Sequence, residues 1–259
     1  MGRQGLSEWI ERSAAIVRGY YAEFPVSRVT IQVTVADGDS MGSGRTFGRA
    51  RPRIEVRVGR QITARALKDD WVLVHEMIHL ALPEVPDAQN WLAEGLATYV
   101  EGVARVQAGN MSEVALWEEY LREMPKGLPQ ENDRGLDRTH TWARTYWGGA
   151  LYCFVADVMI REQTQNRRGL QDALRAISRA GAGTSSLLPV ERIFAIGDAA
   201  TGTTVMTDLY LRMRDQPNAP DLDALWADLG VRETAGTVQL SDSARLAAVR
   251  RAITRARPD

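Results

Sequence analysis

The sequence predicts an α+β fold in which a small N-terminal β-sheet lobe feeds a larger α-helical lobe. Three observations carry that expectation. Alternating apolar and polar residues are concentrated before residue 60, in 26–36 and 53–58. From residue 60 onward the apolar spacing is almost wholly helical. A length of 259 residues, 44% hydrophobic and 25% charged, suits one globular domain over 1–259, with lobes of about 1–82 and about 83–259.

The elements follow in chain order. Residues 7–23 read as an amphipathic helix with Ser7 as N-cap and Pro25 just beyond its end. In 26–36, Val29, Ile31, Val33 and Val35 fall on one face of a half-buried strand. The stretch 37–48 holds Gly38, Gly42, Gly44 and Gly48 and reads as a loop. A second strand, 53–58, sets Ile54, Val56 and Val58 against Arg53, Glu55 and Arg57. Helices are expected near 63–82, 88–107, 112–124, 140–165, 169–180, 186–197, 204–215, 221–229 and 241–256, with Asp87 and Ser112 as N-caps. Residues 231–240 suit a small hairpin or an irregular strand.

Charge and cysteine usage narrow the function classes. Lys plus Arg number 32 against 33 Asp plus Glu, so nothing supports a nucleic-acid or membrane-surface protein. The arginine-rich runs 49–53 and 250–257 read as solvated faces. Cys153 is the only cysteine, which excludes an intramolecular disulfide, and its apolar surroundings suggest a buried, inert thiol. There is no transmembrane stretch and no secretory h-region; a cytoplasmic protein, or a periplasmic or secreted one after loss of a leader, would fit.

The chemistry-bearing motif is His75-Glu76-Met77-Ile78-His79. Four residues apart on a helix, the two imidazoles lie one turn above each other and reach one cation. Glu76 projects beside that cation, placed to hold and deprotonate a water. The flanking residues, from Trp71 to Leu82, suit a buried helix. Three polar groups buried there without a partner would cost several kcal/mol, roughly, and a metal supplies the partner. Catalytic zinc takes three protein ligands, and Glu94, in the apolar stretch Trp91–Tyr99, is the candidate third. Gly95 is expected to let this helix approach the metal helix closely. The plainer readings are a chance match for the motif and a solvent-exposed helix glutamate for Glu94.

The pair His75-Glu-Met-Ile-His79 and Trp91-Leu-Ala-Glu94-Gly95-Leu-Ala-Thr-Tyr99 resembles the signature of the gluzincin metallopeptidases, the group of aminopeptidase N and the glycyl-aminopeptidases. Tyr146-Trp-Gly-Gly149 resembles the segment that carries that group's catalytic tyrosine, with Gly148 in place of its lysine. Segments 157–164 and 170–175 are similar to the glycyl-aminopeptidase branch. The resemblance implies a zincin (thermolysin-like) catalytic domain, Zn2+ as cofactor and a peptide or protein substrate. The His79-to-Glu94 spacing is shorter than in aminopeptidase N, and no Gly-x-Met-Glu-Asn segment is present. Exopeptidase activity therefore does not transfer.

On this reading a zinc-activated water attacks the peptide bond with Glu76 as general base, and Tyr146 stabilises the oxyanion. His140 is a candidate second donor, or else a surface or capping histidine. Glu55, on a strand expected to form the rim for an extended peptide, is a candidate contact for a substrate amine or a basic side chain, or else an ordinary solvent-facing residue. Trp71, Trp91, Trp142 and Trp147 are expected to cluster around the site as core. A catalytically silent module of gluzincin fold and a zinc hydrolase of non-peptide substrates remain as alternatives.

Overall fold

The computed structural model describes residues 2–48, 51–181 and 187–256. Eleven helices are named below: α1 (Arg3–Tyr21), α2 (Ala64–Lys68), α3 (Val72–Ile78), α4 (Asn90–Gln107), α5 (Glu113–Glu123), α6 (Gly149–Gln163), α7 (Leu170–Gly181), α8 (Val190–Thr201), α9 (Val205–Met213), α10 (Leu222–Leu229) and α11 (Ala247–Thr254). The strands are β1 (Thr30–Ala36), β2 (Met41–Phe47), β3 (Arg53–Gly59), β4 (Val231–Thr234) and β5 (Thr237–Leu240). The fold is mixed α+β and mostly helical, with one three-stranded sheet and one hairpin among the described residues.

The sheet order is β1-β3-β2, with β1 parallel and β2 antiparallel to β3. Ile54, Val56 and Val58 of β3 are buried against the helices. The glycine-rich stretch read as a loop is therefore largely an edge strand, β2. Its sequence lacks the usual apolar alternation because its inward positions are Gly44 and Thr46, for a reason given below. The β4–β5 hairpin closes through Ala235 and Gly236, both at positive φ, the backbone of a tight two-residue turn.

The helix expected over 63–82 is broken. Thr63 caps α2 by accepting from the Ala66 amide at 3.1 Å. Asp70 then accepts from the amides of Val72 and Leu73, at 3.0 and 3.2 Å, and starts α3 afresh. Trp9 Nε1 donates to the same carboxylate at 2.9 Å, pinning α1 to the start of α3. After Ile78 the chain tightens into a 3-10 turn, His79–Ala81. Ser112 is the N-cap expected, accepting from Ala115. Ser7 and Asp87 are not caps: α1 begins four residues before Ser7, and Asp87 opens a short 3-10 turn ahead of α4. The expected start of one helix at residue 186, and Arg49 and Arg257 of the arginine-rich runs, lie outside the described residues. Within the second run Arg250 is buried rather than solvated, its guanidinium donating to the carbonyls of Leu229 and Ser241. Cys153 is buried in α6, and burial pushes its thiol up.

The site is positioned by α3, which lies between the sheet and α4, and by the crossing of α4 with α6. At that crossing, a β-carbon on Gly149 would sit 2.0 Å from the Trp91 carbonyl oxygen, and one on Gly95 would sit 2.2 Å from the Gly149 backbone. Gly95 thus serves contact with α6, not with the metal helix. A β-carbon on Gly127 would come within 2.3 Å of the Trp147 backbone, so the turn after α5 is pressed onto the entry to α6 as closely. That entry is a π-helical turn, Arg144–Gly148. Arg144, buried within it, pairs with Asp133 at 2.8 Å and donates to the Gly127 carbonyl at 2.6 Å.

Gly149→Ala should force the helices apart and lower stability by ~2 kcal/mol or more, the scale of an overpacked core. Gly19→Ala, in an exposed helical position with open space around it, should raise stability by ~0.5–1 kcal/mol. Denaturant or thermal unfolding of the two variants checks both signs.

Candidate metal and catalytic site

His75 and Glu76 are buried on α3, and His79 sits at the first position of the 3-10 turn that follows. The tighter turn keeps the two imidazoles on one face, with ring centroids 4.9 Å apart. Glu94 reaches them from the second turn of α4: its Oε2 lies 3.4 Å from His75 Nε2 and 3.5 Å from His79 Nε2. One carboxylate oxygen thus faces two ring nitrogens, at distances long for hydrogen bonds. Ligands about 2.0–2.1 Å from a tetrahedral zinc stand about 3.3 Å from one another. The trio has the donor set, the spacing and the half-buried setting that such an ion requires, so these residues fit zinc.

The electrostatics favour the ligating forms. Burial lowers the pKa of His75, against the opposing pull of its hydrogen bond with Glu94, and so favours neutral imidazole. Burial works to raise the Glu94 carboxyl, but His75 and His79 outweigh it and hold the group well below the usual carboxylate range.

β2 closes the site from above. Thr46 Oγ1 lies 2.7 Å from Glu76 Oε2 and 2.8 Å from the Glu76 carbonyl oxygen, so its one proton serves either acceptor. A β-carbon on Gly44 would fall 2.5 Å from Glu76 Cγ. Glycine at 44 is therefore the space that Glu76 occupies, and Thr46 is the side chain that orients its carboxylate. Reading the sequence did not single out Thr46, since nothing in 37–48 marked a strand.

Tyr146 leaves the π-helical turn toward the same point. Its ring stacks on His75 at 6.3 Å and on Trp142 at 5.6 Å. Burial, then the charge of Glu94 and a hydrogen bond with it, push the hydroxyl up to about 12, so it keeps its proton at neutral pH. His75, Glu76, His79, Glu94 and Tyr146 all line one open cleft of about 780 Å³, whose rim includes 44–47 of β2 and Gly48 just after it.

The other two candidates lie elsewhere. Glu55 is on the outer face of the sheet, paired with Arg53 at 3.0 Å, and does not line the cleft. β3 is the central strand, so the rim is β2 and not the strand expected. His140 is exposed in the connection before the π-helical turn and lines neither the cleft nor the cavity beside it. Of the four tryptophans, Trp91 and Trp147 are buried, whereas Trp71 and Trp142 are 50% and 61% exposed.

The fold is similar to solved structures of zinc peptidases. It matches an aminopeptidase N family protein from Idiomarina loihiensis with a TM-score of 0.67 and 15% identity, over 87% of this chain and 44% of that one. An M1 zinc metallopeptidase from Deinococcus radiodurans matches with a TM-score of 0.53 and 13% identity, over 85% of this chain and 46% of its own. A two-domain M1 zinc metallopeptidase mutant bound to L-arginine gives 0.54 and 14%, over 85% and 46%. This chain spans less than half the length of these structures, and at such identities the likeness is one of fold. No protein-family model and no curated protein matches the chain.

Protons compete with a metal for the imidazoles. We expect about one zinc per chain from pH 7 to 8 by mass spectrometry of metal content, and progressively less as acid competes for the ligand atoms. Glu94→Ala should bind zinc at least tenfold more weakly, roughly, at neutral pH.

Proposed function

We propose that the protein is a zinc-dependent peptidase acting through one catalytic domain. The observation that carries this reading is the placement of Glu76: it lies between the His75–His79–Glu94 trio and Thr46 of an edge strand, with Tyr146 facing the trio from α6's entry turn. A bound zinc would acidify water and polarise a carbonyl. His75, His79 and Glu94 would hold it.

The remaining steps belong to the chain's own residues. Glu76 Oε1 or Oε2 accepts a proton from the attacking water and returns it to the leaving amine nitrogen. Thr46, donating to Glu76, fixes the carboxylate so that proton transfer needs no search of rotamers. The Tyr146 hydroxyl, still protonated at neutral pH, donates to the oxygen that gains charge in the tetrahedral intermediate. Its hydrogen bond with Glu94 would give way to that oxygen. The edge of β2 offers backbone groups for an extended peptide to pair with as an added strand, which favours a peptide over a compact substrate.

Two variants test the scheme. Glu76→Gln should bind zinc normally and lose hydrolysis by about 10³-fold or more, leaving no base for the water. Tyr146→Phe should lower kcat by roughly 10²- to 10³-fold with little change in KM, the signature of an interaction made in the transition state. Cleavage of a mixed peptide library by the wild type, read by mass spectrometry, is the companion measurement. Zinc-loaded wild type that cleaves no peptide would rule the proposal out.

A further inference from the structure

Beside the catalytic cleft lies a second cavity, of about 210 Å³, and the two share a wall: His75 and Tyr146 line both. Trp71 and Trp142 flank the second one. They are the aromatic members of the exposed large hydrophobic residues in the described part of the chain. Both are anchored to the site, Trp142 stacked on Tyr146 at 26° and Trp71 edge-on to His75 at 5.8 Å. Two indoles held in water next to a reaction centre forgo burial that a core would give them.

Three carboxyl side chains also line this cavity. Glu101, Glu119 and Glu123 border the cavity, with Arg122 as the cation among the lining residues. Arg122 and Lys126 both pair with Glu123, at 2.9 and 2.5 Å, and so are committed to it. Glu101, whose side chain is 7% exposed, has Arg105 at 3.3 Å. Arg105 also donates to the Asp69 carbonyl and to Asn110. Arg105, with three tasks, is the cation paired with Glu101, and Glu119 feels both Arg105 and Arg122 without an ion pair to either. Burial pushes Glu101 up to about 8 despite Arg105, and raises Glu119 as well.

We infer that this cavity is a specificity subsite for the arginine or lysine side chain of a substrate residue beside the scissile bond. The stem and cation lie between Trp71 and Trp142, and the charge is directed at Glu119, next to the buried Glu101–Arg105 pair. Indole faces attract cations, and a planar guanidinium stacks on them. Carboxylates in a partly dry pocket accept its hydrogen bonds strongly. An apolar side chain in the same place would leave the Glu119 carboxylate facing hydrocarbon. The inference rests on the peptidase reading of the neighbouring cleft, and its test separates the two.

Two peptides would be compared that differ only in arginine or its neutral isostere citrulline next to the cut. The zinc-loaded wild type should prefer arginine by at least about tenfold in kcat/KM, the scale of one cation–aromatic or charge-assisted contact. Glu119→Gln and, separately, Trp142→Ala should bring that ratio toward one. Glu101→Gln is a third variant, used only if it unfolds at the wild-type temperature. A wild-type ratio near one, or a ratio untouched by all variants, would overturn the subsite. Calorimetric binding of N-acetyl-arginine amide and its citrulline counterpart to the Glu76→Gln protein needs no turnover. Selective binding of the arginine compound without any peptide cleavage would keep the subsite and discard the peptidase. Brisk cleavage with no selective binding would do the reverse.

Discussion

Much of this molecule depends on one steric fact: α4 and α6 touch backbone to backbone. Gly95 and Gly149 leave no room for a β-carbon at their crossing, and helices in such contact are fixed in rotation as well as in distance. Glu94 is the residue before one glycine and Tyr146 is three before the other. The approach that excludes side chains at the crossing is thus what turns Glu94 toward the histidines and Tyr146 toward Glu94. Gly127, pressed onto the Trp147 backbone, holds the same arrangement from the other side.

Buried and half-buried aspartates complete the frame. Asp70 ties Trp9 to the first amides of α3. Asp137 accepts from Gln89, Trp91 and Tyr210, joining the start of α4 to α9. Asp157 accepts from Tyr99, Arg161 and the Leu170 amide, joining α4, α6 and α7. Asp198 accepts from the amides of Met206 and Thr207 and so starts α9 from α8. Asp70, Asp137 and Asp157 each accept from two or more elements, and Asp198 of α8 accepts from α9, which is how a carboxylate is tolerated away from water. These contacts give the helices fixed partners where apolar packing alone would leave their rotations more permissive.

The sequence made the parts built on periodicity legible. The spacing of His75 and His79, the apolar setting of Glu94 and the inward residues of β3 each follow from a repeat of a few residues. What escaped it depends on neighbours distant in the chain. β2 reads as a loop because its inward position is vacated for Glu76, a residue 32 positions after Gly44. The break before α3 turns on Asp70, whose second role is to hold a tryptophan 61 residues earlier. Trp71 and Trp142 look like core by composition; their exposure is decided by what lies beside the cleft. Glu55 lies on the central strand's outer face, away from the cleft, because β2 and not β3 is the edge beside the site, an order alternation alone does not reveal.

The π-helical turn at Arg144–Gly148 has a consequence for how this site tolerates change. A π turn carries one residue more than an α turn, and each residue in a helix advances its side chain by roughly 100°. The direction in which Tyr146 points is therefore set by counting, not by a flexible joint. Point substitutions along 144–148 would mostly leave that count intact, whereas loss of a single residue would let the segment relax into regular helix. The tyrosine would then swing off the histidines as a rigid consequence of the new register. In this region the length of the chain is a more demanding inheritance than its lettering.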